Sequence, residues 1–73
     1  MREPTILKLL ALDRMIRKCE HYRSAKIKDL QESPSWYPTE LIVSLENRIT
    51  VYNQMIVRLE KYYQTVLNKL NKL

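Results

Sequence analysis

The side chains of this sequence that could do chemistry are one thiol, one imidazole and scattered carboxylates. Cys19 is the only cysteine and His21 the only histidine among the 73 residues. Residues two apart on a helix point about 200° away from each other, so this thiol and imidazole cannot pair as a nucleophile and its base. A zinc site needs three or four such ligands. We therefore predict no catalytic residues, no metal, no cofactor and no small-molecule substrate.

Basic side chains concentrate in the first part of the chain. Lysines and arginines outnumber acids eight to four over residues 1–30, but only five to four over the rest. If this segment is helical, one face of it carries Arg14, Arg17, Lys18 and Lys28. Such a face could contact the phosphates of a nucleic acid. Acidic residues are interleaved with it, which favours the alternative that it is a solvated helix surface.

Only one stretch of the chain interrupts helical patterning. Glycine is absent, and proline occurs only at positions 4, 34 and 38. The rings of Pro34 and Pro38 push the residues before them out of the α region. We predict a helix over about residues 4–30, a break over about 31–38 ("QESPSWYP") and a second helix over about 39–72. The hydroxyl of Thr39 is expected to cap the second helix.

The second helix carries a long apolar seam at alternating spacings of three and four. With Ile42 at heptad position a, every a and d position is apolar or aromatic, which is typical of a coiled coil. Two flanking g positions, Met55 and Tyr62, also lack charge, which widens the stripe toward the face used in a helix bundle. We predict that this seam holds more than one chain together. It consists of Ile42, Leu45, Ile49, Tyr52, Ile56, Leu59, Tyr63, Val66, Leu70 and Leu73.

The first helix offers a shorter stripe that could cover one side of this seam. It begins with Leu9, Leu12, Ile16 and Cys19, and polar residues interrupt it further on. We therefore predict an all-α fold, an antiparallel helical hairpin with a long coiled-coil-like second helix. A single hairpin of this size buries little surface, so the remaining apolar surface is expected to meet a second copy in a dimeric four-helix bundle. Isoleucine at a with leucine at d favours parallel pairing, whereas the wide face and the hairpin connection favour an antiparallel bundle.

The break contains two aromatic residues, Trp36 and Tyr37. Their rings could fold back and plug the end of the hairpin, or stand out as an anchor for a partner, a role that favours these residue types. The sequence favours the plug.

No stretch is long and apolar enough to predict a membrane span. A lone free thiol suits a reducing compartment. We therefore expect a cytoplasmic protein without membrane contact.

The segments "YRSAKIKDLQESPSWYP" and "LENRITVYNQMIVRLEKYY" resemble the helical N-terminal part of phage-encoded transcription regulators of the ArpU type. In that family a first helix ends in a hydrophobic residue followed by Asp-Leu, then a Ser-Pro and a proline-closed loop, and a second helix follows. The matching residues here are Tyr22, Ile27, Asp29, Leu30, Ser33, Pro34, Pro38, Glu46, Arg48 and Ile49. The family continues into a sigma-factor-like helix-turn-helix that this sequence lacks, so the resemblance implies only the helical part that oligomerises or contacts another protein.

These observations predict a non-enzymatic helical oligomerisation and protein-interaction protein that forms a homodimer. Through the resemblance, they suggest a phage or mobile-element regulator that binds a host or phage protein. The alternative is a nucleic-acid-binding four-helix bundle that uses the basic face of the first helix.

Overall fold

The chain forms two helices that pack against each other as a hairpin. The structure, a computed structural model, describes residues 3–72; the predicted seam residue Leu73 lies outside them. Helix α1 spans Glu3–Gln31 and helix α2 spans Thr39–Asn71. The helices are antiparallel, since Lys8 lies against Tyr62 near one end and Arg23 contacts Asn53 nearer the other. The all-α hairpin predicted from the sequence is confirmed, and the observed helix ends lie within one residue of the predicted ones.

Residues 32–38 reverse the chain without any residue in the left-handed region. The backbone N–H of Glu32 donates to the carbonyl of Lys28 (2.9 Å), which extends the end of α1, and the N–H of Tyr37 donates to the carbonyl of Pro34 (3.0 Å). No residue in the described range has a positive φ angle. The reversal therefore depends on the two prolines, whose rings fix φ near the values that an extended turn requires.

The expected cap at Thr39 is wrong. Helix α2 begins at Thr39 itself, and the N-cap is Pro38, in an extended conformation with φ −67° and ψ 152°. The Pro38 carbonyl accepts the N–H groups of Leu41 (3.0 Å) and Ile42 (3.2 Å). Proline has no side-chain acceptor, so no side-chain hydrogen bond caps this helix. The ring of Pro38 still sets the extended entry of the chain into α2.

The seam of α2 faces α1 of the same chain. Leu45, Ile56 and Val66 are buried, and the other six described seam residues are half-buried. On α1 the buried side chains are Leu9, Leu12 and Cys19. The chain's own first helix thus covers the seam, and any apolar surface left for another molecule lies beside it.

A cluster of buried side chains lies at the open end of the hairpin, and a polar contact between the helices lies nearer the loop. Leu9, Leu12 and Val66 form one buried cluster, against which neighbouring apolar side chains of α2 pack. Further along the stripe of α1, Arg23 lies half-buried and donates from Nη1 to Oδ1 of Asn53 (2.9 Å). Even the most buried side chains among residues 3–72, those of Leu45 and Ile56, are 4% exposed. The core of the isolated hairpin is therefore thin.

Within residues 3–72, neither helix is long and apolar enough to cross a bilayer.

Truncating a core leucine should destabilise the hairpin far more than truncating its exposed neighbour. Leu12 is 5% exposed and Leu10 is 53% exposed on the same helix. We expect Leu12→Ala to lower the free energy of unfolding by about 2–4 kcal/mol, because it leaves a cavity beside Val66. Leu10→Ala should change it by less than about 0.5 kcal/mol. Urea unfolding followed by circular dichroism at one protein concentration checks both, and equal effects would contradict this packing.

Candidate interaction surface

Apolar side chains remain exposed along one side of the hairpin, next to the seam. Met15 and Tyr22 of α1 are 50% and 43% exposed, and Met55 and Tyr62 of α2 are 43% and 44% exposed. Each pair is separated by seven residues, or two helical turns, so its members lie on one face of their helix. Because both helices contribute, this surface is a composite that exists only in the folded hairpin.

The centre of this surface is a groove between the two helices, called here the interhelical groove. The groove is open to solvent and has a volume of about 500 Å³. The rings of Tyr22 and Tyr52 stack across it, with centroids 6.0 Å apart and planes inclined at 29°. This contact joins the two helices on the groove side. The exposed or half-buried residues that line the groove are Met15, Lys18, Tyr22, Tyr52, Met55, Arg58 and Leu59.

The apolar surface continues beyond the interhelical groove in both directions. Toward the open end, Nζ of Lys8 lies 4.9 Å from the centroid of the Tyr62 ring, a cation–π contact. Toward the loop, a shallow depression of about 750 Å³ on α2 shares Tyr52 and Met55 with the groove and adds Val51 and Arg48. The exposed apolar strip is therefore longer on α2 than on α1.

The four predicted basic residues lie along one face of α1, but their surroundings differ. Arg14, Arg17, Lys18 and Lys28 are all exposed. Arg17, however, is paired through Nε with Oδ2 of Asp13 at 3.0 Å, whereas Lys18 lines the interhelical groove with apolar neighbours. The basic residues of α1 therefore have different surroundings.

The two aromatic residues of the loop behave differently from each other. Trp36 is 74% exposed, so the expectation that it plugs the end of the hairpin is wrong. Its ring packs edge-to-face with the Tyr37 ring, with centroids 4.8 Å apart. Tyr37 is half-buried, and its hydroxyl donates to Oδ1 of Asp29 at 3.4 Å. Trp36 is thus placed where a partner could reach it.

The exposure of Trp36 can be measured directly, because it is the only tryptophan of the chain. We expect acrylamide to quench its fluorescence in the native protein almost as efficiently as in the urea-unfolded protein. A native quenching constant several-fold below the unfolded one would place the ring in a shielded pocket and contradict the observed loop.

The potentially reactive side chains lie apart from one another. Cys19 is a buried free thiol on the groove side of α1, where it packs as a small apolar group. His21 is exposed, and its ring contacts Tyr22 at a centroid distance of 6.0 Å. Residues 3–72 contain no group of three or more side chains arranged to hold a metal ion. The chemistry that this surface offers is apolar contact bordered by positive charge.

No protein-family model, curated protein or solved structure matches this chain. The resemblance to ArpU-type regulators therefore stays a prediction from the sequence.

Proposed function

We propose that this chain is a non-enzymatic protein-interaction module that self-associates through the interhelical groove as a dimeric four-helix bundle. The observation that carries the proposal is the exposed strip of Met15, Tyr22, Met55 and Tyr62 beside the seam. Contiguous apolar surface of this kind marks interaction sites on soluble proteins. Methionine and tyrosine are also among the residues enriched in protein interfaces.

The position of the strip supports a bundle rather than a side-by-side contact. In a bundle of two hairpins, each helix faces the central core with the flank of its seam, and Met55 and Tyr62 occupy that flank at position g of the heptads. The hairpin extends 56 Å by 14 Å between Cα atoms. The area of a face with these dimensions is of the same order as the roughly 800 Å² that each partner buries in a standard protein interface.

The thin core of the single hairpin supports the same assembly. Six hydrophobic side chains among the described residues are buried, and all of them remain slightly exposed. Chains of this size usually need disulfides, a metal or another subunit for independent stability. A single cysteine excludes a disulfide within the chain. Covering the groove with a second copy would complete the core.

The regulatory part of the proposal follows from the resemblance to ArpU-type regulators. In this view, the hairpin acts by binding a protein of its host or of the mobile element that encodes it. Trp36 supports such a role, because its ring is 74% exposed and tryptophan is enriched among the residues that anchor protein interfaces. Tyr37 would support it through the contact between the two rings.

The methyl groups of Met15 and Met55 provide the direct test of this proposal. In protein labelled with ¹³C at the methionine methyls, we expect both signals to shift together as concentration rises from about 10 μM to 1 mM, the range of weak to moderate association. Intermolecular nuclear Overhauser effects to tyrosine rings should appear in the same range. Signals that do not change with concentration, in a protein whose mass stays that of one chain, would contradict self-association through the groove.

The second candidate function is nucleic-acid binding by the basic face of α1, because Arg14, Lys18 and Lys28 are exposed in the hairpin. It requires binding to duplex DNA or RNA that weakens steeply between about 50 and 200 mM salt. It also requires that Arg14→Glu combined with Lys28→Glu abolish that binding. If these changes have no effect, this face is a solvated helix surface and the candidate is eliminated.

A further inference from the structure

Positive charge borders the interhelical groove on both helices. Lys18 lines it on the α1 side and Arg58 on the α2 side. Lys8 lies over the Tyr62 ring at the next turn toward the open end. Arg48 lines the adjoining depression, where the acidic residue is Glu40, in the first turn of α2. The middle of the groove thus combines exposed methionine and tyrosine side chains with basic residues on either side.

The acidic residues of the helices concentrate on the opposite long side of the hairpin. On α2, Glu46 and Glu60 occupy heptad position e, across the seam from Met55 and Tyr62 at g. On α1, Asp13 and Glu20 hold the equivalent position when the stripe that begins at Leu9 is numbered from a. The carboxylate of Asp13 is also held by Arg17 on that side. Asp29 is the exception, because it holds position g on α1, two turns nearer the loop than Tyr22. It does not line the groove, where Lys18 and Arg58 have no acidic neighbour among the lining residues.

This distribution of charge distinguishes between two occupants of the groove. A second copy placed face to face brings the Lys18 and Arg58 rims of the two chains near each other. Like charges across an interface oppose binding, although salt screens them beyond a Debye length of about 8 Å. An amphipathic helix with acidic flanks makes the same apolar contacts and replaces this repulsion with attraction. Helix-in-groove binding of this kind is a common mode of recognition.

We propose that the interhelical groove binds an amphipathic α-helix of another protein whose apolar stripe is flanked by aspartate and glutamate, and that this helix displaces the second copy. The proposal rests on the proposed function, because both complexes use the same face of the hairpin. The homodimer is then the form of the free protein, and the partner complex replaces it. The distribution of charge sets the preference between the two.

Three designed peptides test this preference. Each is an amphipathic helix of about 21 residues, roughly 30 Å long, with the same apolar stripe and a fluorescent label. Its flanking positions carry glutamate, glutamine or lysine. By fluorescence anisotropy at about 50 mM salt, we expect the glutamate peptide to bind at least about tenfold more tightly than the glutamine peptide, and the lysine peptide to bind more weakly still. The difference should shrink at about 300 mM salt. Equal affinities for the glutamate and glutamine peptides would overturn the proposal.

Two variants locate the binding. Lys18→Glu combined with Arg58→Glu changes exposed rim residues, and we expect it to reverse the order of the peptides without unfolding the hairpin. Met15→Asp combined with Met55→Asp should abolish binding of the glutamate peptide. Glutamate-peptide binding that survives the methionine changes would be charge pairing elsewhere on the surface and would overturn the proposal. Displacement of the bound peptide by duplex DNA or RNA would assign the basic rim to a nucleic acid. This outcome would also overturn the proposal.

Sedimentation of the same mixtures separates this proposal from the proposed function. Conversion of a homodimer into a complex of one chain with one glutamate peptide supports both. A homodimer to which the peptide does not bind, or binds without dissociating it, overturns the displacement proposal and leaves self-association intact. A chain that is monomeric at every concentration and still binds the glutamate peptide in the groove refutes self-association and retains the acidic helix as the occupant.

Discussion

Replacing Ile56 with aspartate is expected to unfold the hairpin. Ile56 is 4% exposed in the middle of the seam, and a carboxylate there would be removed from water. Burying an unpaired charge costs several kcal/mol. Domains of this size have a total stability of the order of 5 kcal/mol. Circular dichroism should therefore show loss of most of the helical signal under conditions in which the unmodified chain is folded.

The matched control is the next residue. Val57→Asp introduces the same carboxylate at a side chain that is 51% exposed, where water solvates the charge. The variant should keep the helical spectrum, with a stability change within about 1 kcal/mol of the unmodified chain. A folded Ile56→Asp variant, with the helicity of Val57→Asp, would mean that the seam is not the core that holds the two helices together.

The second large effect is expected on association rather than on folding. Met15→Asp combined with Met55→Asp places charges at two positions that are each close to half exposed, where water solvates them. The helicity of the variant should therefore equal that of the dissociated unmodified chain. In a two-fold symmetric dimer each change occurs twice within one interface. We expect the dissociation constant of the homodimer to rise by at least about 100-fold, equivalent to roughly 2.7 kcal/mol. Sedimentation velocity over a concentration series measures it.

The control for this variant carries the same charges outside the groove. Leu10→Asp combined with Val57→Asp alters two side chains that are 53% and 51% exposed and do not line the interhelical groove. Its self-association should weaken much less. If both double variants weaken the dimer equally, the effect is one of net charge, and the groove is not the interface.

The helices could be predicted from the sequence because the signals that define them are local. The seam repeats at heptad spacing without interruption, and Pro34 and Pro38 restrict the backbone next to them. The start of α2 illustrates the limit of such signals. A threonine after a proline indicates a capping hydroxyl, but the extended conformation of Pro38 placed the helix start at Thr39 itself.

The candidate surface could be predicted only in part. Apolar residues at the g positions of α2 indicated a wider face than a two-stranded coiled coil needs. The contribution of α1 required the antiparallel register, which places Lys8 against Tyr62 and Tyr22 against Tyr52. Contacts between residues so distant in sequence depend on tertiary packing, which local periodicity does not predict. The exposure of Trp36 likewise followed from the path of the loop rather than from its composition.

Sedimentation equilibrium of the unmodified chain at low and high salt, with helicity followed across the same dilution series, tests the central claim most directly. We expect a helical dimer at high concentration that dissociates on dilution and loses helicity as it does so, because the thin core of the hairpin is completed by the second copy. High salt should strengthen the dimer by screening the basic rims of the groove. A chain that remains a fully helical monomer across the whole range would contradict the bundle, since α1 alone would then suffice to close the seam.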